Sequence, residues 1–259
     1  LETNKTITTL TIVRYPAWAI PFALISMGLF RLPLWLNKSI SFYKLMGSGR
    51  NGTFDKTPDW RQWAVLSVGG EQSAVGSLHP TESSGSCKEL NCNKMQPDIN
   101  RIANCQLPTA NWHGSFIHNY WKFFRCTTTT FILEAIEGHG LWDGKEVFGA
   151  LPKQTGYEGE IAVLTRATIR LKKLKSFWSH VDAVASQMAG AEGFITSYGV
   201  GEVPFIKQAT FSIWQSKAHM KNFAYKLKDH AEVVRKTHQE KWYSEEMFVR
   251  FKVLNKVTG

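Results

Sequence analysis

Residues 41–49 read SFYKLMGSG and residues 193–201 read GFITSYGVG, an offset of 152 positions. Each stretch ends on a Gly-x-Gly pair, Gly47 and Gly49 in one and Gly199 and Gly201 in the other. The same offset carries Arg14 onto Arg166, so each arginine precedes the first glycine of its pair by 33 residues. Beyond the glycines the offset shifts by six, and Arg61-Gln62 then matches Lys207-Gln208. Three matches in one order indicate an internal duplication. The glycines read as strand-end turns or bulges. They lack the following helix and the full spacing of a dinucleotide-binding loop.

Outward from these pairs, both halves read β-α-β-β-α-β. In residues 1–150, β-branched alternation predicts strands at 5–15, 41–49, 60–68 and 127–137, with helices at 16–36 and 114–125. In residues 151–259 the strands fall at 160–171, 193–201, 206–214 and 243–254. Helices are expected at 174–189 and from the cap Ser216 to Glu240, interrupted near Asp229. Residues 69–112 are rich in Ser, Asn, Gly, Cys and Pro and read as an inserted mobile loop. The fold class is therefore α+β: two ferredoxin-like βαββαβ repeats whose sheets cover each other, a single-chain form of the dimeric α+β barrel.

The formal charge is +10 and the pI about 9.4. The charges are dispersed, with one dense run at residues 170–175 (RLKKLK) that reads as a solvated connection, and no nucleic-acid motif accompanies them. The most apolar run, residues 16–30, is short for a bilayer span and contains Pro16 and Pro21, with Pro33 expected to end or kink it. It reads as a buried or membrane-grazing helix. No signal-peptide pattern is present, so the expected location is the cytoplasm, against the inner face of a membrane where that helix touches one.

Hydrolase and zinc chemistries lack their patterns. There is no G-x-S-x-G elbow. Glu245 and Glu246 are adjacent strand residues that point opposite ways. His113 and His118 are five apart, a poor spacing for a shared metal on a helix. His230 is different. Asp229 can cap a helix with Glu232 three residues on, which places His230 in its first turn beside Val233 and Val234. The helix dipole and unpaired N–H groups there favour a neutral imidazole with a lone pair to give, as haem ligation requires, although many surface histidines share that context.

Six stretches resemble one family: residues 42–47 (FYKLMG), 141–146 (LWDGKE), 164–168 (LTRAT), 199–205 (GVGEVPF), 208–214 (QATFSIW) and 242–246 (WYSEE). Together they are similar to the spheroidene monooxygenases, carotenoid C-2 oxygenases. The resemblance spans most of the chain outside residues 69–112. It implies a haem b enzyme with the dimeric α+β barrel fold, and His230 is the histidine that matches the family's motif and thus the iron ligand. Arg166, on a strand with apolar neighbours, is the expected catalytic distal group, with pairing to Glu202, Glu160 or a haem propionate as the alternative. Lys207 and Lys44 are candidates for propionates or for ordinary strand-edge lysines. Phe205, Phe211 and Trp214 are expected pocket walls, with plain sheet packing as the alternative, and Met188 is expected at the cofactor or in the core. Cys126 would be a thiolate alternative to His230.

The implied reaction is oxygen insertion into an apolar small-molecule substrate, an acyclic carotenoid. Two hydroxylations at one carbon and loss of water would give a ketone. Electrons would come from a ferredoxin or other external donor, since no flavin or iron–sulfur signature is present. A homo-oligomer is compatible with the pattern. The competing readings are a haem lyase or dehydratase and a non-catalytic haem- or lipid-binding module.

Overall fold

The computed structural model describes residues 7–50, 52, 56–69, 115–226, 235, 237 and 239–259. His230 and all but Gly69 of the expected insert at 69–112 lie outside the described residues. Eight strands are present: β1 (Ile7–Arg14), β2 (Ile40–Gly49), β3 (Pro58–Gly69), β4 (Thr127–Gly140), β5 (Ile161–Ile169), β6 (Phe194–Val203), β7 (Lys207–Trp214) and β8 (Tyr243–Thr258). They close into one antiparallel barrel in the order β1-β3-β2-β6-β7-β5-β8-β4. Each half contributes the ferredoxin-like order 4-1-3-2, and the halves meet at two seams. At one, Gly47 pairs with Gly201 and Ser48 with Val200, and the Ser48 hydroxyl donates to the Gly199 carbonyl at 2.9 Å. Both Gly-x-Gly pairs thus sit where the strands shift register and cross from one half to the other. The second seam joins β4 to β8 over Thr129–Gly140.

Strand alternation sorts the side chains into two populations. Leu10, Ile12, Met46, Leu66, Phe131, Leu164, Phe211, Val249 and Phe251 point inward and fill the barrel. The residues between them face the helices. In the first half, Val13, Tyr15, Trp63 and Val65 pack against Ala19, Ala23, Phe30 and Leu34 of the apolar helix and against Ile117 and Trp121 of helix Phe116–Phe123. Ser115 caps that second helix, its hydroxyl accepting from the His118 N–H at 3.2 Å.

The apolar helical segment spans the range expected from sequence. A 3₁₀ turn (Ala17–Ala19), helix Ile20–Leu29 and helix Arg31–Leu36 follow one another with a break at Phe30. Pro33 lacks the N–H that would bond back to the carbonyl of Leu29, so the ladder yields there and resumes with Leu34 N–H to Phe30 at 3.2 Å. The helix then continues to Leu36, so of the two outcomes expected at Pro33 the segment is interrupted and not ended.

Candidate functional site

Residues 141–146 form a hairpin that closes one end of the barrel. Trp142 and Lys145 form a bridge, and Asp143 (φ 50°) and Gly144 (φ 74°) both adopt left-handed backbone. An Asp-Gly pair suits that two-residue turn, because two successive positive φ values are needed. The turn aims the N–H groups of Asp143 and Gly144 at the carboxylate of Glu245, at 3.0 and 2.7 Å. Trp142 is fully buried beneath it, donating from Nε1 to Glu202 at 2.8 Å.

Around this plug lies a ring of six charges. Arg166 on β5 bonds Glu245, Asp143 at 2.9 Å and Glu202 at 3.4 Å, and its guanidinium lies 5.5 Å from the Trp142 ring centre. Lys44 on β2 reaches both Asp143 and Glu202 at 2.5 Å, and Lys207 on β7 reaches Asp143 at 2.7 Å. Three cations and three carboxylates balance. Burial alone would raise the carboxyl of Asp143, but Lys207, Lys44 and Arg166 hold it well below the usual range. Burial likewise opposes ionisation of Glu245, and the two turn N–H groups and Arg166 outweigh it and lower its pKa. Burial pulls Lys44 down, but its bonds to Asp143 and Glu202 leave it raised. Arg166 is only 1% exposed, and its Nε has no partner. Of the alternatives open from sequence, the pairing of Arg166 with Glu202 is present.

Every charge in the ring comes from, or adjoins, a stretch that carries the family resemblance: Lys44, Asp143, Arg166, Glu202, Lys207 and Glu245. The sequence reading singled out Arg166, Lys207 and Lys44 but did not bring Asp143, Glu202 and Glu245 together as a site. The Asp-Gly hairpin signal was the local cue.

The remaining site residues fall elsewhere. Phe211 points into the barrel, against Phe131 at 5.3 Å between ring centres. Trp214 points the other way and packs with Met188, Met220 and Phe223 between sheet and helices. Phe205 sits half exposed in the β6–β7 turn with φ 65°, its carbonyl accepting from Trp178 Nε1 at 3.2 Å. Cys126 belongs to the first half's helical layer, where burial pushes its thiol up to about 12, unfavourable for a thiolate ligand. Among the described residues no group of three or more His, Cys, Asp or Glu side chains could hold a metal ion.

Among the described residues, the helical layer of the second half presents two clusters. One cluster comprises Ile161, Val163, Met188, Trp214, Met220 and Phe223, and another Ile169, Phe177, Trp178 and Trp242. Helix Leu174–Ala189 contributes to both, through Phe177 and Trp178 near its start and Met188 near its end. Between them on β5, Thr165 is exposed, flanked in register by Thr210 on β7 and Phe248 on β8. A residue midway along a strand with neighbours on both sides is ordinarily covered, so the outer face of the sheet is open there. On β4, across β8 from β5, Glu137 is fully buried and bonds Lys217 at 3.0 Å, Arg250 and the Thr155 N–H at 2.7 Å, and Arg250 lies over the Phe248 ring at 4.6 Å. Burial raises that carboxyl, and these partners overcome it and bring it down to about 2. This buried triad was not read from the sequence.

No family model matches the chain. It is 29% identical over 242 residues to the spheroidene monooxygenase of Rhodobacter capsulatus, covering 91% of this chain and 85% of that protein. It is 28% identical over 232 residues to the spheroidene monooxygenase of Cereibacter sphaeroides, covering 89% of this chain and 60% of that one. Among solved structures, aldoxime dehydratase in complex with butyraldoxime superposes with a TM-score of 0.55 at 9% identity, covering 98% of this chain and 81% of that one, a likeness of fold alone. These sequence relatives, with a third from Rubrivivax gelatinosus that is 36% identical over 112 residues, support membership of the spheroidene monooxygenase family.

Proposed function

We propose that the chain is a monooxygenase acting on a long apolar polyene of the carotenoid type, the activity for which its sequence relatives are named, and that it works with haem b held in the gap above Thr165. The observation that carries the haem reading is the exposure of Thr165 in the middle of the sheet, between two aromatic-rich clusters. A flat apolar macrocycle suits that gap. Trp214 and Met188 would wall it on one side and Phe177 and Trp178 on the other, with Thr165, Thr210 and Phe248 as its floor. From its sequence context His230 would hold the iron, and haem so held would supply dioxygen activation.

The chain's own residues then have separable tasks. The apolar walls exclude water from the reacting carbon. The hydroxyls of Thr165 and Thr210 offer hydrogen bonds at the floor. Arg166 follows Thr165 on the same strand but faces the opposite side of the sheet, locked to three carboxylates. It acts as a positioning residue that fixes β5, and through β5 the floor. Lys207 and Lys44 are committed to Asp143 in the same network. Electrons come from a ferredoxin or similar external donor, for which the net charge of +10 favours an acidic partner.

The test is hemin reconstitution of the purified chain. A Soret band is expected, absent in His230→Ala and weakened in Thr165→Trp, which fills the gap. Unchanged bands in both variants would remove the haem assignment. Conversion of an acyclic carotenoid that requires both dioxygen and reductant supports the monooxygenase, and turnover without either would point to lyase chemistry instead.

A further inference from the structure

We infer that the first half carries a docking face for an anionic lipid bilayer, on which the apolar helical segment lies flat. The inference does not depend on haem. Across Ala17–Leu36, Ala19, Ala23, Ser26, Phe30 and Leu34 are buried against the sheet. The opposite stripe, at spacings of four and three, is Trp18, Phe22, Ile25, Leu29, Leu32 and Leu36, and every one of these is exposed. A surface helix of a water-soluble domain carries polar residues on that stripe, whereas this one is apolar all round. The patch extends onto the neighbouring helix, where Phe22 stacks on Phe124 at 4.6 Å and Phe123 is 77% exposed.

The segment has the length and composition to cross a bilayer, but it is tied to the barrel. The Tyr15 hydroxyl donates to Ser26 at 3.1 Å, and the Tyr120 hydroxyl donates to the Phe22 carbonyl at 2.8 Å. Threading it through a membrane would strip the first half's sheet of its cover, so it lies on the surface with its outer stripe among the acyl chains. Charge selects the partner. Residues 16–38 and 115–126 contain no Asp or Glu, while Arg31, Lys38, Lys122 and Arg125 are all exposed. A second copy of this chain would set that basic face against itself with no carboxylate to match. An anionic headgroup layer complements it. Trp18 and Trp35, near the two ends of the segment and 61% and 72% exposed, suit the interfacial zone where indole rings settle.

The experiment is co-sedimentation of the full chain with vesicles of phosphatidylcholine, with and without phosphatidylglycerol. The wild type is expected to pellet with the anionic vesicles and less with the neutral ones. The double variant Leu32→Glu/Trp35→Glu is expected to partition about tenfold more weakly, since each change places a carboxylate in the apolar contact. Both positions are exposed, so the far-UV circular dichroism should not change. Val257→Glu, at an exposed apolar residue on the opposite half, is expected to bind like the wild type. A wild type that stays in the supernatant with both vesicle types would overturn the inference. So would a lipid-free dimer that the double variant dissociates, which would assign the patch to a second copy.

Discussion

Val13 and Thr165 occupy one place in two copies of one plan, as do Trp63 and Thr210, their partners across the strand pairs; this register sets Gln62 against Ala209, one residue off the Gln62–Gln208 match read from sequence. In the first half Val13 is 2% exposed and Trp63 lies across Gly47, in a single layer that joins sheet to helices. In the second half the same two places hold threonines, one of them exposed, and the described residues of the layer form two clusters. Both copies keep the inward-facing residues that fill the common barrel. The difference lies on the outward alternates alone. A duplicated domain can therefore pack one helical layer closely at this place and leave the matching place in the other open without disturbing the shared core.

The largest expected effect tests that division directly. Trp63→Ala should destabilise the protein by about 3–5 kcal/mol, the usual cost of emptying a buried aromatic site. Thr210→Ala, at the matching place, should cost less than about 1 kcal/mol, since it opens no new cavity and changes mainly strand preference. Urea unfolding of both variants reads the contrast. Equal losses would mean that the second layer is packed as tightly as the first.

The barrel was legible because period-2 alternation and the Gly-x-Gly repeat are local signals that survive duplication. The division between the layers was less so. Phe211 and Trp214 lie three residues apart in one aromatic strand, and only their opposite directions separate a barrel-filling residue from a helix-facing one. Trp142 and Asp143 were visible as a motif but not as a plug, because the ring they complete draws on β2, β5, β6, β7 and β8. Glu137, Lys217 and Arg250 are far apart in the chain and individually ordinary. Their meeting depends on the β4–β8 seam, which no local pattern announces.

The arginines sharpen the comparison at smaller magnitude. Arg14 and Arg166 are offset mates, yet Arg14 is a surface group paired to Asp59 at 3.1 Å, and Arg166 is buried among three carboxylates. Arg14→Met should change stability by less than about 1 kcal/mol, as exposed ion pairs contribute little. Arg166→Met should cost about 3 kcal/mol, the lower end for breaking a buried pair, because Lys44 and Lys207 still hold Asp143 and Glu202 while Glu245 keeps only backbone donors. Thermal or urea unfolding distinguishes the two, and indistinguishable losses would place the mouth ring on the same footing as the surface.

The smallest effect is a slope, and it separates the two helical layers by acid. The first half's helices hold no carboxylate, whereas the second half's layer adjoins the buried Glu137. Glu137 is held down to about 2 when folded, below the roughly 4.3 of an unfolded glutamate. A depressed folded pKa stabilises the native state above the unfolded value and loses that contribution as pH falls through the window between the two. One such group changes the slope by at most about 1.4 kcal/mol per pH unit. Glu137→Gln keeps an acceptor for the Thr155 N–H, so the fold has a means to persist, but it no longer titrates. Its stability between pH 4.5 and 2 should therefore fall less steeply than that of the wild type, the residual slope coming from Asp143 and Glu245 at the mouth, whose folded pKa values are also depressed. Parallel profiles would show that the triad is not charged in the native state, and with it would go the view that the second layer adjoins buried ions where the helices of the first carry no carboxylate.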